Sequence, residues 1–304
     1  MEYNYNYLNN FLKEKFGERT LKICIDGNFT CPNRDGKCGQ GGCIFCSERG
    51  SGERLDNSLT IEEQVKETLD YKKNRANKFI VYFQNYTNTY ASVESLRRKY
   101  DAALIDDRIV GLAIATRPDC IDEDIVNLLK EYQEKYYVWV ELGLQTANDK
   151  TAKIINRGYD TNVYLKAIEL LNKNKIDVVT HIMIGLPGES FNDLKNTIDF
   201  LNSCNYQGIK IHSTYVVKNT ILEQMYKKGD YKALEFEDYM EELIYVITHI
   251  PKNIVIHRFS GDSPKDLLVA PEWTLHKKKV MNELNNRMKR ENLFQGIYYE
   301  KKEN

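Results

Sequence analysis

The chain has 304 residues, 42% hydrophobic and 29% charged, with 43 basic against 44 acidic side chains. A net charge of −1 excludes a globally basic nucleic-acid binder while leaving room for a local basic patch. No apolar run is long enough to span a bilayer, and the polar, aromatic start MEYNYNYLNNFLKEKFGERT has no apolar h-region, so the expected location is the cytoplasm, with no membrane partner.

Along the chain, apolar β-rich runs alternate with helical patterns, the signature of parallel βα units. Residues 21–26 read as a first strand leading into a cysteine-rich loop. Thr60 and Glu63 form a capping box for a helix with Ile61, Val65 and Leu69 on its apolar face. A second strand is expected at 78–85, a helix at 92–105 and a third strand at 109–116. Asp122 caps the next helix, whose inner face carries Ile125, Leu128, Leu129 and Tyr132. A fourth strand follows at 138–146, paired helices at 149–156 and 161–174, a fifth strand at 177–184, a helix capped by Ser190, and a sixth strand at 208–217.

These units are fewer than the eight of a closed barrel. The expected fold is α/β: a partial (β/α)6 TIM-like barrel over residues 21–219. An N-terminal extension (1–20) precedes it. A C-terminal α/β extension (220–304), with a helix at 236–250, a strand at 254–259 and a helix at 275–292, packs on it. No Pro/Gly/Ser-rich linker separates that extension from the barrel.

Four of the seven cysteines fall within Cys31-PNRDGK-Cys38-GQGG-Cys43-IF-Cys46. In a reducing compartment such crowding reads as metal binding rather than as disulfides. Cys43 and Cys46 form a CxxC pair, and Cys31 lies at the exit of the first strand. Three thiolates on a four-iron cluster leave one iron open, as a reactive site requires. A zinc knot using Cys31, Cys38, Cys43 and Cys46 is the alternative, and Cys38 could also replace Cys31 as first ligand. The position of the loop, just after the first barrel strand, favours the catalytic face and the cluster. Cys24, Cys120 and Cys204 read as core or surface thiols.

Polar residues gather where strands end. In VWVELGLQT, Trp139, Glu141, Gly143 and Gln145 share the face expected to look into the lumen, where Glu141 and Gln145 suit ribose hydroxyls or an ammonium group, or else satisfy each other. Arg117, at the end of the third strand, is placed to hold a carboxylate or to pair with Asp119. Gln84 and Asn85 open a run of hydrogen-bonding side chains after the second strand. Gly185, in GLPGE, permits close approach of a flat ligand. On the sixth strand Lys210 and His212 share a face, as candidate catalytic groups or as satisfied core residues.

The cysteine loop together with ATRPD (115–119), ELGLQT (141–146), NRG (156–158) and GLPGE (185–189) resembles radical S-adenosylmethionine (SAM) proteins. It is similar to the bacterial YhcC/YtqA type and to the radical SAM domain of the Elongator catalytic subunit, and the similarity runs from about residue 16 to 264. The resemblance implies a 4Fe-4S cluster on Cys31, Cys43 and Cys46, with SAM chelated at the open iron. It places Phe45 near adenine and Glu141, Gln145 and Gly185 where SAM is contacted. It further implies reductive cleavage of SAM to methionine and a 5′-deoxyadenosyl radical, and an electron donor such as flavodoxin or ferredoxin. Three features depart from the pattern. The cysteine spacing is longer than Cys-x3-Cys-x2-Cys. Gln84-Asn85-Tyr86 stands in place of Gly-Gly-Glu. No second cysteine cluster or acetyltransferase region is present.

The same resemblance suggests transfer RNA as partner, modified on the 5-position side chain of a wobble uridine. The tail adds Lys277, Lys278, Lys279, Arg287, Lys289, Arg290, Lys301 and Lys302 against Glu283, Glu291 and Glu300, interleaved with Trp273, Phe294, Tyr298 and Tyr299. That mixture suits phosphate contact and base stacking, or simply a solvated helix face. A radical SAM enzyme acting on a small molecule or peptide, and a zinc-stabilised RNA-binding protein without catalysis, are the competing readings.

Overall fold

The structure is a computed structural model describing residues 4–50, 52, 55–261 and 263–300. Its centre is a sheet of seven parallel strands: β1 (Thr20–Ile25), β2 (Lys78–Phe83), β3 (Ile109–Thr116), β4 (Tyr137–Gln145), β5 (Asp177–Ile184), β6 (Gly208–Ser213) and β8 (Val255–Arg258). The first six are neighbours in chain order, and β8 pairs with β6 in register Gly208↔Val255. The fold is thus the α/β partial barrel expected, with a seventh strand contributed by the segment read as an extension. The run expected as one sixth strand divides into β6 and a short β7 (Val216–Val217), which pairs antiparallel with β9 (Leu268–Ala270).

Alternation along the strands builds two cores. Outward residues such as Val81, Leu112, Val140, Ile182 and Ile211 pack against the helices in one large apolar cluster. Those helices are α2 (Ile61–Lys72), α3 (Val93–Ala103), α4 (Glu123–Gln133), α6 (Thr161–Lys173), α7 (Phe191–Asn202) and, in the C-terminal part, α9 (Phe236–His249) and α10 (Lys277–Arg290). Thr60 and Glu63 close the capping box on α2, and Asp122 accepts from Ile125 N on α4. Burying one Leu or Ile on such a face stabilises by about 1.5–3 kcal/mol, which is why the apolar spacing located these helices.

The second core fills the bottom of the lumen. Helix α1 (Leu8–Phe16), inside the region read as an extension, inserts Leu8 and Leu12 against Tyr82, Trp139, Val179 and Val255. It touches both edge strands, β1 and β8, and Tyr7 forms a parallel bridge to Ile256. On the opposite side, a third cluster joins Ile44 of the cysteine loop to Met183, Leu186, Val216 and Leu222 of α8 (Ile221–Lys228). No described helix is long and apolar enough to cross a membrane.

Candidate active site

Residues of strands β2–β6 and of the segments after β1–β4 converge on one cavity, the face on which barrels carry their sites. Cys31, Cys43 and Cys46 line it together with Phe45, Gln84, Arg117, Glu141, Gln145, Lys210 and His212. Asn85 and Gly185 do not reach it. Asn85 is buried and donates to Asp26 Oδ2 at 2.7 Å. Gly185 has φ +81°, and an added Cβ would meet Leu234 at 2.8 Å, so local backbone and packing account for this glycine.

The cysteine loop is held from outside. Ile44 N donates to Ile155 O (3.1 Å), and Leu222 N to Ile44 O (3.0 Å). Asn156, at φ +52° between α5 (Asp149–Ile154) and α6, donates through Nδ2 to Gly42 O (2.7 Å) and Gln40 O (3.3 Å). Asn33 Nδ2 donates to Asn156 O at 2.6 Å and lies 3.7 Å from Cys43 Sγ. Arg34 donates to the carbonyls of Cys46 and Glu48 at 3.2 and 3.3 Å and to that of Ser47, with its guanidinium over the Tyr86 ring. Cys38 sits in a small hairpin closed by the Asp35–Gln40 bridge, exposed and outside the cavity wall.

The floor is a buried polar network centred on Glu141, which has no exposed surface. Trp139 Nε1 donates to its Oε1 (3.0 Å), His181 Nε2 lies 2.8 Å from Oε2, and Lys210 forms an ion pair with that same oxygen. Lys210 also donates to Tyr82 OH at 2.8 Å. Burial alone would raise the Glu141 carboxyl, but Lys210 and then His181 outweigh it and hold it well below the ordinary carboxylate range. Both oxygens thus have protein partners, and Glu141 still lines the cavity. Arg117 is engaged likewise: Nε and Nη2 bind Asp119 at 2.8 and 2.7 Å, and Nη1 donates to Arg157 O at 2.9 Å. Its fork fastens a loop. Gln145 stands at φ +66°, where the β4–β5 register shifts, and among the described residues its amide has no hydrogen-bond partner.

Tyr82, His181, Arg34 and Arg258 also line the cavity and were not singled out from sequence. The period-two rule carried the signal for His181, which follows Val179 on the lumen face.

Residues 35–201 match the Radical SAM superfamily, and residues 206–290 match the Radical_SAM C-terminal domain. The chain belongs to the radical SAM superfamily. This radical SAM enzyme is 39% identical to the Bacillus subtilis protein YtqA over 99% of its own length and 95% of YtqA. It is 31% identical to the tRNA uridine(34) acetyltransferase of Methanocaldococcus infernus over 53% of its length, spanning only 30% of that relative. The solved structure of archaeal Methanocaldococcus infernus Elp3 superposes with a TM-score of 0.69 at 20% identity, over 91% of this enzyme and 64% of that chain, and shows the shared fold.

Its cysteines fit the cluster that the family implies. A zinc ion would need four ligands about 2.0–2.3 Å from one centre. Cys38 turns to solvent, and among the described residues no group of three His, Cys, Asp or Glu is assembled around one ion. A four-iron cluster instead takes each thiolate on its own iron around a cage, and three cysteines on one cavity wall suit that demand. Without metal, burial and the neighbouring Cys46 push the Cys43 thiol up to about 12. The Asn33 amide at Cys43 is a donor that favours the thiolate once it ligates.

Proposed function

We propose that the enzyme holds a 4Fe-4S cluster on Cys31, Cys43 and Cys46 and SAM beside Phe45, Gln84 and Gln145, and modifies the 5-position side chain of the wobble uridine of transfer RNA. The observation that carries this reading is the single cavity in which the three cysteines face the polar floor of the half-barrel. When bound, the cluster and SAM supply methionine and a 5′-deoxyadenosyl radical, a hydrogen-abstracting species, on receipt of an electron from a carrier such as flavodoxin or ferredoxin. The chain's own residues do the rest. Asn33 and Arg34 hold the loop and offset thiolate charge, and Gln145 offers an unpartnered amide to the ligand. Lys210 and His212 face the substrate from the floor, and the Glu141 network fixes the orientation of Lys210.

The case for transfer RNA combines the partial match to tRNA uridine(34) acetyltransferases with the start of α10. Lys277, Lys278 and Lys279 occupy its first turn without an acidic residue or a side-chain cap, and with Ser263, Lys265 and His276 they border a second depression. Positive charge on a helix N-terminus is favoured only when an anion arrives, and RNA phosphates are that anion. The rest of the tail contributes less. Arg287 pairs with Glu283 and Glu237, and Arg290 with Glu291. Trp273 is buried and donates to Leu234 O, whereas Phe294 and Tyr298 remain exposed for stacking. Lys301 and Lys302 lie outside the described residues.

The test has two parts. Anaerobically reconstituted enzyme with a strong reductant should release 5′-deoxyadenosine, and transfer RNA from a deletion strain should accumulate a wobble-uridine precursor. Unchanged nucleosides in that strain would remove transfer RNA as substrate and leave a small molecule or peptide in its place.

A further inference from the structure

The cavity wall carries five cations, Arg34, Arg117, Arg157, Lys210 and Arg258, against one acid, Glu141. Four of the five have a defined occupation. Arg117 holds Asp119, Arg157 pairs with Asp149, Lys210 pairs with Glu141, and Arg34 donates to carbonyls beside the cysteines. Arg258, at the end of β8 beside Lys210 in the β6–β8 register, is half-buried. Among the described residues it has neither a carboxylate partner nor a hydrogen-bond acceptor. His212, on the same wall, has a buried Nε2 without a hydrogen-bond partner, and behind it His257 Nδ1 also lacks one, lying 4.0 Å from Glu141 Oε1. An arginine withdrawn from bulk water without a counter-ion is costly, and the guanidinium fork suits a carboxylate or phosphoryl group with two oxygens.

We propose that Arg258, with His212 beside it, forms an oxyanion subsite at the floor of the cavity that receives a carboxylate or phosphoryl group of the substrate. This rests on reading the cavity as the active site and adds to it a requirement on the substrate, a negative charge close to the carbon that loses hydrogen. The β8 strand, absent from the six-unit barrel read from sequence, thereby becomes the strand that sets specificity.

The test uses anaerobic holoenzyme labelled with 15N-histidine. The sequence has five histidines, so their ring resonances can be assigned by substitution. The protein is titrated with sodium acetate and with inorganic phosphate, at ionic strength held constant with sodium chloride, with and without SAM. The His212 and His257 resonances should follow a saturating curve with at least one of the two anions, and SAM should leave the affinity within about twofold. Arg258→Gln should weaken it on the order of tenfold, and Arg258→Lys less. Stronger binding of acetate marks a carboxylate-bearing substrate, and stronger binding of phosphate a phosphoryl-bearing one. No saturable movement with either anion, equal movement with chloride, or loss of binding on adding SAM would overturn the proposal, the last by assigning the position to SAM itself. Should Arg258→Gln fail to fold, the wild-type titration and its SAM arm still decide. SAM cleavage, read separately on the same wild-type sample, tests the active-site reading and cannot be confused with this one.

Discussion

Within the cysteine loop, neighbours in sequence have different fates. Cys43 faces the cavity beside an amide donor, while Cys38 stands on a hairpin in solvent. Cys31→Ala, Cys43→Ala and Cys46→Ala should each abolish the complement of about four irons per chain, and Cys38→Ala should keep it. Iron analysis after anaerobic purification checks this, and loss in the Cys38 variant would contradict the placement. The floor makes a second prediction. Burial, then neighbouring charges, hold His212 and His257 well below the ordinary imidazole range, and His181 is lowered to about 4. Below the unfolded value of about 6.5 the unfolded chain therefore binds more protons, and the contribution of these rings to stability is lost as pH falls. Glu189 and Glu242, raised to about 7 by burial, act in the opposite sense. A difference measurement isolates one ring. His212→Gln should flatten the dependence of unfolding free energy on pH between 5 and 6.5, by up to about 1.4 kcal/mol per pH unit. Identical slopes from urea unfolding would show that His212 is protonated in the folded state. At this scale the sequence revealed which residues reach the lumen better than what they do there. Glu141 falls on the inner face by simple alternation, but its engagement by Trp139, His181 and Lys210 depends on three strands meeting.

Among the elements, the NRG turn grips the cysteine loop through backbone carbonyls that no motif advertises. Asn156 serves twice, by tolerating positive φ and by donating to Gly42 and Gln40. Asn156→Gly keeps the conformation and removes the donor, whereas Asn156→Ala removes the donor and also strains the positive-φ backbone. Each should speed cluster loss, the alanine variant more, and should broaden the electron paramagnetic resonance signal of the reduced cluster. An unchanged signal and loss rate in both would show that Ile155 and Leu222 hold the loop unaided. Elements with strong local signals were legible: the capping box of α2, the cap of α4, and the apolar runs of β2 to β5. Those defined by tertiary context were not. Helix α1 has Leu8, Phe11 and Leu12 at helical spacing, but its purpose appears only when it meets Trp139 across the lumen. Strand β8 is four residues long, and local pattern cannot say which sheet such a strand joins.

For the whole molecule, the barrel and its C-terminal part act together. Strand β8 completes the sheet, α8 braces the cysteine loop, and α10 begins with the lysines proposed to meet RNA. Changing Lys277, Lys278 and Lys279 together to Ala should weaken transfer RNA binding and reduce the slope of log affinity against log salt by about two to three units, if each lysine neutralises one phosphate. Substrate-free SAM cleavage by the wild type fixes the reference against which RNA-dependent turnover of the variant is read. An unaltered slope would locate the RNA path elsewhere.

A half-barrel differs from a closed one in having two ends to its sheet, and unpaired strand edges invite other chains to add to them. Here β1 and β8 are those ends, and the segment from Tyr7 through α1 lies against both, with Tyr7 itself bridged to Ile256. The same few residues that plug the lumen therefore also lie along both sheet margins. Removing residues 1–16 should leave the cysteine loop intact in sequence yet yield a protein that associates through its exposed sheet margins, visible as a concentration-dependent rise in light scattering. A truncated protein that scatters no more than the full chain would show that the strands are too short or too twisted to recruit a neighbour.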